Sequence, residues 1–135
     1  MQRLSFRLSP RRGQMRGVAV AVALCAASVA QADHRLTGRD LEKGAELYAG
    51  NCASCHGAQL EGQPDWRTPG PDGVLPAPPH DVTGHTWHHD TQMLLDYTLL
   101  GGQAALEAMG VTDFRSGMPA FAGTLSEDQV LDILA

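Results

Sequence analysis

The sequence predicts an all-α domain built from a few short helices. Three segments show helical spacing of apolar residues directly behind a side chain that can cap a helix N-terminus. No segment alternates between apolar and polar residues well enough to predict a strand. Residues 62–86 are rich in proline and glycine and are predicted to form a loop. A loop of this length is unusual in so small a domain unless it serves a site.

The first predicted helix begins near Thr37. Thr37 and Asp40 fit a capping box, in which each residue satisfies a backbone N–H of the other. Residues suited to a buried face then recur at helical spacing, four, three and four positions apart, at Leu41, Ala45, Tyr48 and Cys52. Gly44 is a poor residue for a helix interior by propensity, so its place in this pattern needs a packing reason or a tolerant surface.

A second helix is predicted after Asp90, which can cap it, and Gly101-Gly102 end it. Its apolar side is predicted to consist of Met93, Leu94, Tyr97 and Leu100. A short helical turn is expected from Gln103 to Met109, where Gly110 stops it.

The last predicted helix starts with a capping box formed by Ser126 and Gln129. Its apolar residues at helical spacing are Val130, Ile133 and Leu134. The pattern reaches Ala135 without a glycine, an asparagine or a basic residue to end the helix. We therefore expect the C-terminal helix to be truncated in this sequence, by roughly two turns.

Residues 1–32 have the features of a secretory signal peptide. Five arginines and no acidic residues precede the short apolar run from Val18 to Ala30, and Ala30-Gln31-Ala32 has the small-x-small form of a cleavage site. The apolar run is too short to span a bilayer comfortably, so an uncleaved membrane anchor is the less favoured alternative. Cleavage would remove Cys25 and leave residues 33–135 as one exported domain, which we expect to be periplasmic and not stably inserted in a membrane.

The charge of the exported part restricts its partners. All 15 acidic residues lie in 33–135, together with only five of the ten basic ones, so the formal charge of this part is −10. Nucleic-acid binding needs a basic footprint and is excluded. We expect protein partners with basic docking surfaces, and association rates that fall with added salt.

Cys52, Cys55 and His56 form the pattern C-x-x-C-H, which is typical of covalent haem attachment. Positions i, i+3 and i+4 lie on one face of a helical turn. Two thiols there can add to the two vinyl groups of a porphyrin, and His56 can then bind the iron. A disulfide, a thioredoxin-like redox pair and half of a zinc site are the alternatives. The redox pair lacks its βαβ surroundings, and a zinc site lacks a second cysteine pair.

With these residues in place, the sequence resembles the class I cytochrome c family over most of residues 37–135. The segment GAELYAGNCASCHG resembles the family's first helix and haem site, and SGMPAFAGTLSEDQVLDIL resembles its distal-methionine loop and last helix. The resemblance implies the cytochrome c fold, with a few helices around one covalently attached haem c, and one-electron transfer. It also implies that the glycine at position 44 lets the first and last helices cross closely.

The resemblance assigns Met118 as the second axial ligand of the iron. Met118 lies between Gly117 and Pro119, and Pro119 favours an extended backbone at Met118, which suits a loop that presents a side chain. Met93 is predicted to be a core residue and Met109 to fill a gap. Phe121 is expected to pack near Met118.

The resemblance also implies that the proximal histidine donates its second ring N–H to a proline carbonyl between the two motifs. Of Pro76, Pro78 and Pro79, Pro78 fits best. Arg67 and Trp87 are candidates for binding the haem propionates, and burial of Trp87 in the core is the alternative.

Four more histidines follow within ten positions, namely His80, His85, His88 and His89. They could bind a second metal such as copper, zinc or nickel, or one of them could replace Met118 on the iron. The simpler interpretation, solvated loop residues beside the porphyrin, is favoured because histidine-rich composition alone is weak support for a metal site.

Together these features predict a monomeric, periplasmic electron carrier that shuttles single electrons between redox proteins and is not an enzyme. Two rival functions stay open. A haem sensor or a peroxidase-like enzyme would need an open sixth position on the iron, and a copper- or zinc-handling protein would use the histidine cluster.

Overall fold

Five α-helices and one short pair of strands make up residues 34–135, the part of the chain that the computed structural model describes. The helices are α1 (Leu41–Asn51), α2 (Ala53–His56), α3 (Thr91–Leu100), α4 (Gly102–Ala108) and α5 (Glu127–Leu134). Two 3₁₀ turns lie at His34–Leu36 and Thr86–His88. The predicted all-α class is confirmed, whereas the predicted signal peptide, residues 1–32, lies outside the described residues.

Helix α1 starts later than the sequence pattern predicts. Asp40 is the N-cap, and its carboxylate accepts a hydrogen bond from the backbone N–H of Lys43 at 3.0 Å. The predicted capping box of Thr37 and Asp40 is wrong, because Gly38 between them has a φ of +72°. A residue in this left-handed region cannot lie in the first turn of an α-helix.

Helices α1 and α5 cross at Gly44, which is buried. A Cβ atom at this position would overlap the backbone carbonyl of Asp132. The close crossing that the family resemblance implied is therefore confirmed. The predicted capping box of α5 is confirmed too, since Ser126 and Gln129 exchange hydrogen bonds of 2.9 and 3.3 Å.

Helix α3 is capped by Asp90 as predicted, through a hydrogen bond of 2.9 Å from the backbone N–H of Met93. Its predicted apolar side is only partly covered, since Met93, Leu94 and Tyr97 are half-buried. The buried residues are Thr91, Leu95 and Thr98, whereas Leu100 is 52% exposed. The apolar residues of this helix occur almost all round it, so their spacing alone does not select the face that packs against α5.

Gly101, at a φ of +85°, separates α3 from α4. Helix α4 begins at Gly102, one residue before the predicted start, and Gly110, at a φ of +75°, follows its end. Residues 62–86 contain no α-helix, in agreement with the predicted loop.

Two short strands were not predicted. Strand β1 (Val74–Leu75) pairs in parallel with β2 (Arg115–Ser116), with Val74 opposite Arg115 and Leu75 opposite Ser116. Each strand has two residues, which is too short for an alternating pattern to be visible in a sequence.

The buried core lies where α5 meets α3 and the segment before α5. It is formed by Leu95, Leu125, Val130 and Leu131, and Leu36, Leu47, Leu99 and Phe121 pack around it. Within residues 34–135, none of the helices is long and apolar enough to cross a membrane.

Candidate haem site

The two cysteines and His56 lie at the junction of α1 and α2. Cys52 is the residue between the helices, and the short helix α2 ends at His56. Both thiols are free, and Cys55 is exposed while Cys52 is half-buried. Burial raises the pKa of the Cys52 thiol, and the neighbouring Cys55 raises it further. The spacing that the sequence pattern requires is thus carried by consecutive helical turns.

The imidazole of His56 is held from behind by the long loop. Its Nδ1 donates a hydrogen bond to the carbonyl of Pro78 at 2.8 Å, and the side chain is only 8% exposed. Pro78 is the proline that the sequence analysis selected, so this prediction is confirmed. With Nδ1 engaged as a donor, Nε2 is the nitrogen left to bind a metal.

Gly62 allows the loop to come this close. It has a φ of +69°, and a Cβ atom there would overlap the backbone of Pro78 and Pro79. Its N–H donates to the carbonyl of His56 at 2.7 Å. His56 is therefore bonded to the loop twice, through its backbone carbonyl to Gly62 and through its ring to Pro78.

His80 stacks on His56, with ring centroids 4.2 Å apart. Its Nδ1 hydrogen-bonds to the hydroxyl of Thr86 at 2.8 Å. Burial lowers the pKa of His80 to about 4, with the neighbouring His56 and His85 adding to the effect. His80 is therefore neutral at pH 7 and belongs to the packing around His56.

Met118 lies on a loop that is fixed by its backbone. Its carbonyl accepts a hydrogen bond from the N–H of Gly102 at 3.0 Å, and its own N–H donates to the hydroxyl of Ser116 at 3.2 Å. The same hydroxyl accepts a hydrogen bond from Tyr97 of α3 at 2.9 Å. Residues of α3, α4 and β2 thus hold the backbone around Met118. The side chain of Met118 is half-buried.

The β1–β2 pair connects the Met118 loop to the loop behind His56. Because the strands are parallel, the chain leaves both at the same end of the pair. Pro78 follows Leu75 by three residues, and Met118 follows Ser116 by two. The strand pair therefore fixes the positions of the Pro78 segment and the Met118 loop relative to each other.

Comparison with known protein families identifies this arrangement. The profile of the family described as cytochrome c oxidase, cbb3-type, subunit III, matches residues 39–135, which includes both motifs. The chain belongs to this family of c-type cytochrome domains. No curated protein and no solved structure gives a significant match.

Membership of this c-type cytochrome family implies haem binding and electron transfer. The donors in the structure fit haem c in kind: two free thiols three residues apart, and a buried imidazole whose Nδ1 is already hydrogen-bonded. No second pair of cysteines lies within the described residues, so the donor set does not match a four-cysteine zinc site.

The other two methionines of residues 34–135 lie away from the Met118 loop. Met93 and Met109 line a groove between α3 and α4, and Met109 is 46% exposed. Met93 is thus a half-buried groove residue and not part of the central core. Phe121 packs against the core close to the Met118 loop, and its N–H donates to the carbonyl of Thr98 at 3.1 Å.

The two tryptophans lie in and directly after the long loop. Trp87 is 77% exposed and donates a hydrogen bond to the carbonyl of Gly84 at 3.3 Å, so its burial in the core is ruled out. Trp66 was not singled out from the sequence, yet it stacks on His85 with the guanidinium of Arg67 over its ring. The roles of Arg67 and Trp87 toward haem propionates stay predictions.

The other histidines of this segment, His85, His88 and His89, lie next to one another and do not stack on His56 as His80 does. Burial lowers the pKa values of His85 and His89, and the neighbouring His88 lowers both further. The Nδ1 of His85 is buried without a hydrogen-bond partner among the described residues.

The hydrogen bonds by which Ser116 and Tyr97 hold the Met118 loop were not predicted. Ser116 stands two residues before Met118, a spacing at which a serine hydroxyl can accept a backbone N–H. That signal could have found Ser116. The contribution of Tyr97 depends on the tertiary fold and leaves no local pattern.

Proposed function

We propose that this protein is a periplasmic electron carrier with one haem c, attached through Cys52 and Cys55 and ligated by His56 and Met118. The observation that carries the proposal is the setting of His56: it is buried, its Nδ1 donates to the carbonyl of Pro78, and it ends a C-x-x-C-H segment whose two thiols are free. Haem supplies the one-electron redox chemistry, and the chain binds it, orients it and limits the access of water.

The residues around His56 favour a fixed ligand. The hydrogen bond to Pro78 orients the ring and increases the basicity of Nε2, as outer partners of metal-bound histidines do. The contact of Gly62 with Pro78 and Pro79 keeps that carbonyl in place. A rigid ligand needs little rearrangement when the charge of the site changes, which favours electron transfer.

The Met118 loop supports a carrier over a haem sensor or a peroxidase-like enzyme. The backbone of Met118 is hydrogen-bonded to Gly102 and Ser116, so the position from which its thioether side chain extends is fixed. A histidine–methionine pair raises the reduction potential and fills the sixth position. Sensors and peroxidases need that position open or displaceable.

Covalent attachment is tested by denaturing electrophoresis of protein made with haem-attachment machinery. We expect the band to keep its haem colour. The variant Cys52→Ala with Cys55→Ala should lose it, whereas Ser54→Ala, a change at an exposed residue between the cysteines, should keep it. Haem lost from the unaltered protein to acid acetone would contradict the attachment.

Electron carriage is tested by redox titration of the same protein. We expect one reversible one-electron transition and no turnover of hydrogen peroxide. Peroxide turnover at a rate typical of peroxidases would favour the rival enzyme function.

A second candidate is a haem-bearing subunit of a larger oxidase, which the description of the matched family favours. Purification from native membranes solubilised in mild detergent, with the soluble fraction treated in parallel, distinguishes the two. A carrier is recovered alone, whereas a subunit is recovered with other oxidase chains.

A further inference from the structure

Three histidines form a cluster on one side of the 3₁₀ turn Thr86–His88. They are His85, His88 and His89, and one ligand nitrogen of each lies within 4.8 Å of the others. The turn brings them together, since the N–H of His88 donates to the carbonyl of His85 at 3.3 Å and that of His89 to Thr86 at 3.1 Å. In a 3₁₀ turn the side chains at i and i+3 eclipse, which brings His88 over His85, and His89 follows directly in the extended residue that ends the turn. We call these three residues the histidine triad.

His85 is the fixed member of the triad. Its ring lies parallel to that of Trp66, with an interplanar angle of 4° and centroids 5.3 Å apart. Arg67 packs on Trp66, with its guanidinium carbon 4.0 Å from the ring centroid. The loop that carries Trp66 and Arg67 thus holds one imidazole while the other two sit on the turn.

The Nδ1 of His85 is a polar atom in need of a partner. It is buried and has no hydrogen bond to any part of the described chain. Leaving a buried polar atom without a partner destabilises the protein. A bound metal ion at this atom would remove that destabilisation.

His80 is excluded from the triad by its own contacts. Its Nδ1 is hydrogen-bonded to Thr86, and its ring is stacked on His56. Of the four histidines within ten positions, His80 therefore packs on His56. The other three bring their ring nitrogens close together.

We propose that the histidine triad is a second metal site, separate from the haem, that binds one divalent ion of the imidazole-preferring kind, Cu²⁺ or Zn²⁺. Metal–nitrogen bonds of about 2.0–2.1 Å hold imidazole nitrogens at separations somewhat shorter than those present here. The exposed side chain of His88 has solvent around it and room to rotate toward such an ion. Three protein ligands leave a further position open for water.

Copper should bind more tightly than zinc, because the affinity of nitrogen sites rises to Cu²⁺ and falls again at Zn²⁺. The site does not depend on the proposed electron-carrier function. Its three ligands come from residues that take no part in attaching or ligating haem in our proposal.

The test uses the full haem-loaded protein, equilibrated separately with Cu²⁺ or Zn²⁺ and freed of weakly held ions on a chelating resin. Elemental analysis then gives metal per iron. We expect about one added ion per iron, and at least a tenfold loss of affinity in His85→Gln, His88→Gln and His89→Gln. His34→Gln, at an exposed histidine outside the segment, should bind as the unaltered protein does.

His88→Gln is the decisive variant, since an exposed side chain can be replaced without loss of the fold. Equal metal binding by His88→Gln and the unaltered protein would overturn the proposal, and so would the absence of any added ion in the haem-loaded protein. The second result, combined with a changed reduction potential in the variants, would assign the triad to the haem propionates. Iron content is measured in the same samples, so failure of haem attachment is recognised separately.

Discussion

Leu75 pairs with Ser116 in a parallel bridge, and this pairing joins the segment behind His56 to the segment that carries Met118. Ser116 also accepts hydrogen bonds from Tyr97 and from the N–H of Met118. The two residues therefore link the proposed proximal and distal sides of the haem site.

Ser116→Ala should loosen the Met118 loop, because it leaves the N–H of Met118 and the hydroxyl of Tyr97 without a partner. We expect a loss of about 1–3 kcal/mol in the free energy of unfolding, together with faster binding of carbon monoxide by the reduced protein. Tyr97→Phe removes only the contact with α3 and should have the smaller effect on carbon monoxide binding. Equal rates in the unaltered protein and both variants would show that Ser116 does not hold the loop.

Gly44→Ala should separate α1 from α5. The added Cβ would overlap the Asp132 carbonyl, and such overpacking costs about 1–3 kcal/mol. Gly50→Ala is the matched control in the same helix, since nothing lies within 4 Å of its Cβ position. That change should leave stability unaltered or raise it by up to about 1 kcal/mol. Thermal unfolding at equal haem content measures both, and similar melting temperatures for the two variants would contradict the crossing.

Gly62→Ala should disturb the hydrogen bond between His56 and Pro78. Gly38→Ala is its control, because Gly38 also has a positive φ but no atom within 4 Å of its Cβ position. Both variants carry the strain of a left-handed residue, about 1–2 kcal/mol, and only Gly62→Ala adds the overlap with the loop. A weaker hydrogen bond at Nδ1 makes Nε2 of His56 donate less electron density to the iron. The oxidised state is then less stabilised, so the reduction potential of Gly62→Ala should rise. An unchanged potential would mean that the loop moves without losing the bond.

Electron transfer to a basic redox protein should slow as salt is added. Residues 33–135 carry a formal charge of −10, and dissolved ions screen the attraction that this charge produces. Stopped-flow rates measured from low to physiological ionic strength test this, with an uncharged small-molecule reductant as the control. A rate that rises with salt would show that the docking surface is not governed by the net charge.

Local signals in the sequence predicted much of the fold. Asp90, Ser126 and Gln129 mark helix starts because a cap needs only neighbouring backbone groups, and all three act as predicted. Pro78 was identified from the family resemblance. Thr37 failed as a cap because Gly38 takes a left-handed conformation. A glycine allows this conformation, but its presence in a sequence does not show that the conformation is used.

Features that depend on tertiary packing were not predictable in the same way. The buried face of α3, centred on Leu95, is chosen by contact with α5 and not by spacing. The two-residue strands pair across some forty positions, and Trp66 meets His85 only because the long loop folds back. The convergence of the histidine triad is likewise a property of the turn it occupies.

The most direct test of the proposed ligand pair is the weak charge-transfer band of sulfur–iron ligation in the oxidised protein. We expect the band in the unaltered protein, in Met93→Ala and in Met109→Ala, and its loss in Met118→Ala. The reduced Met118→Ala protein should also bind carbon monoxide. A band that persists in Met118→Ala, or that is missing from the unaltered protein, would contradict ligation by His56 and Met118.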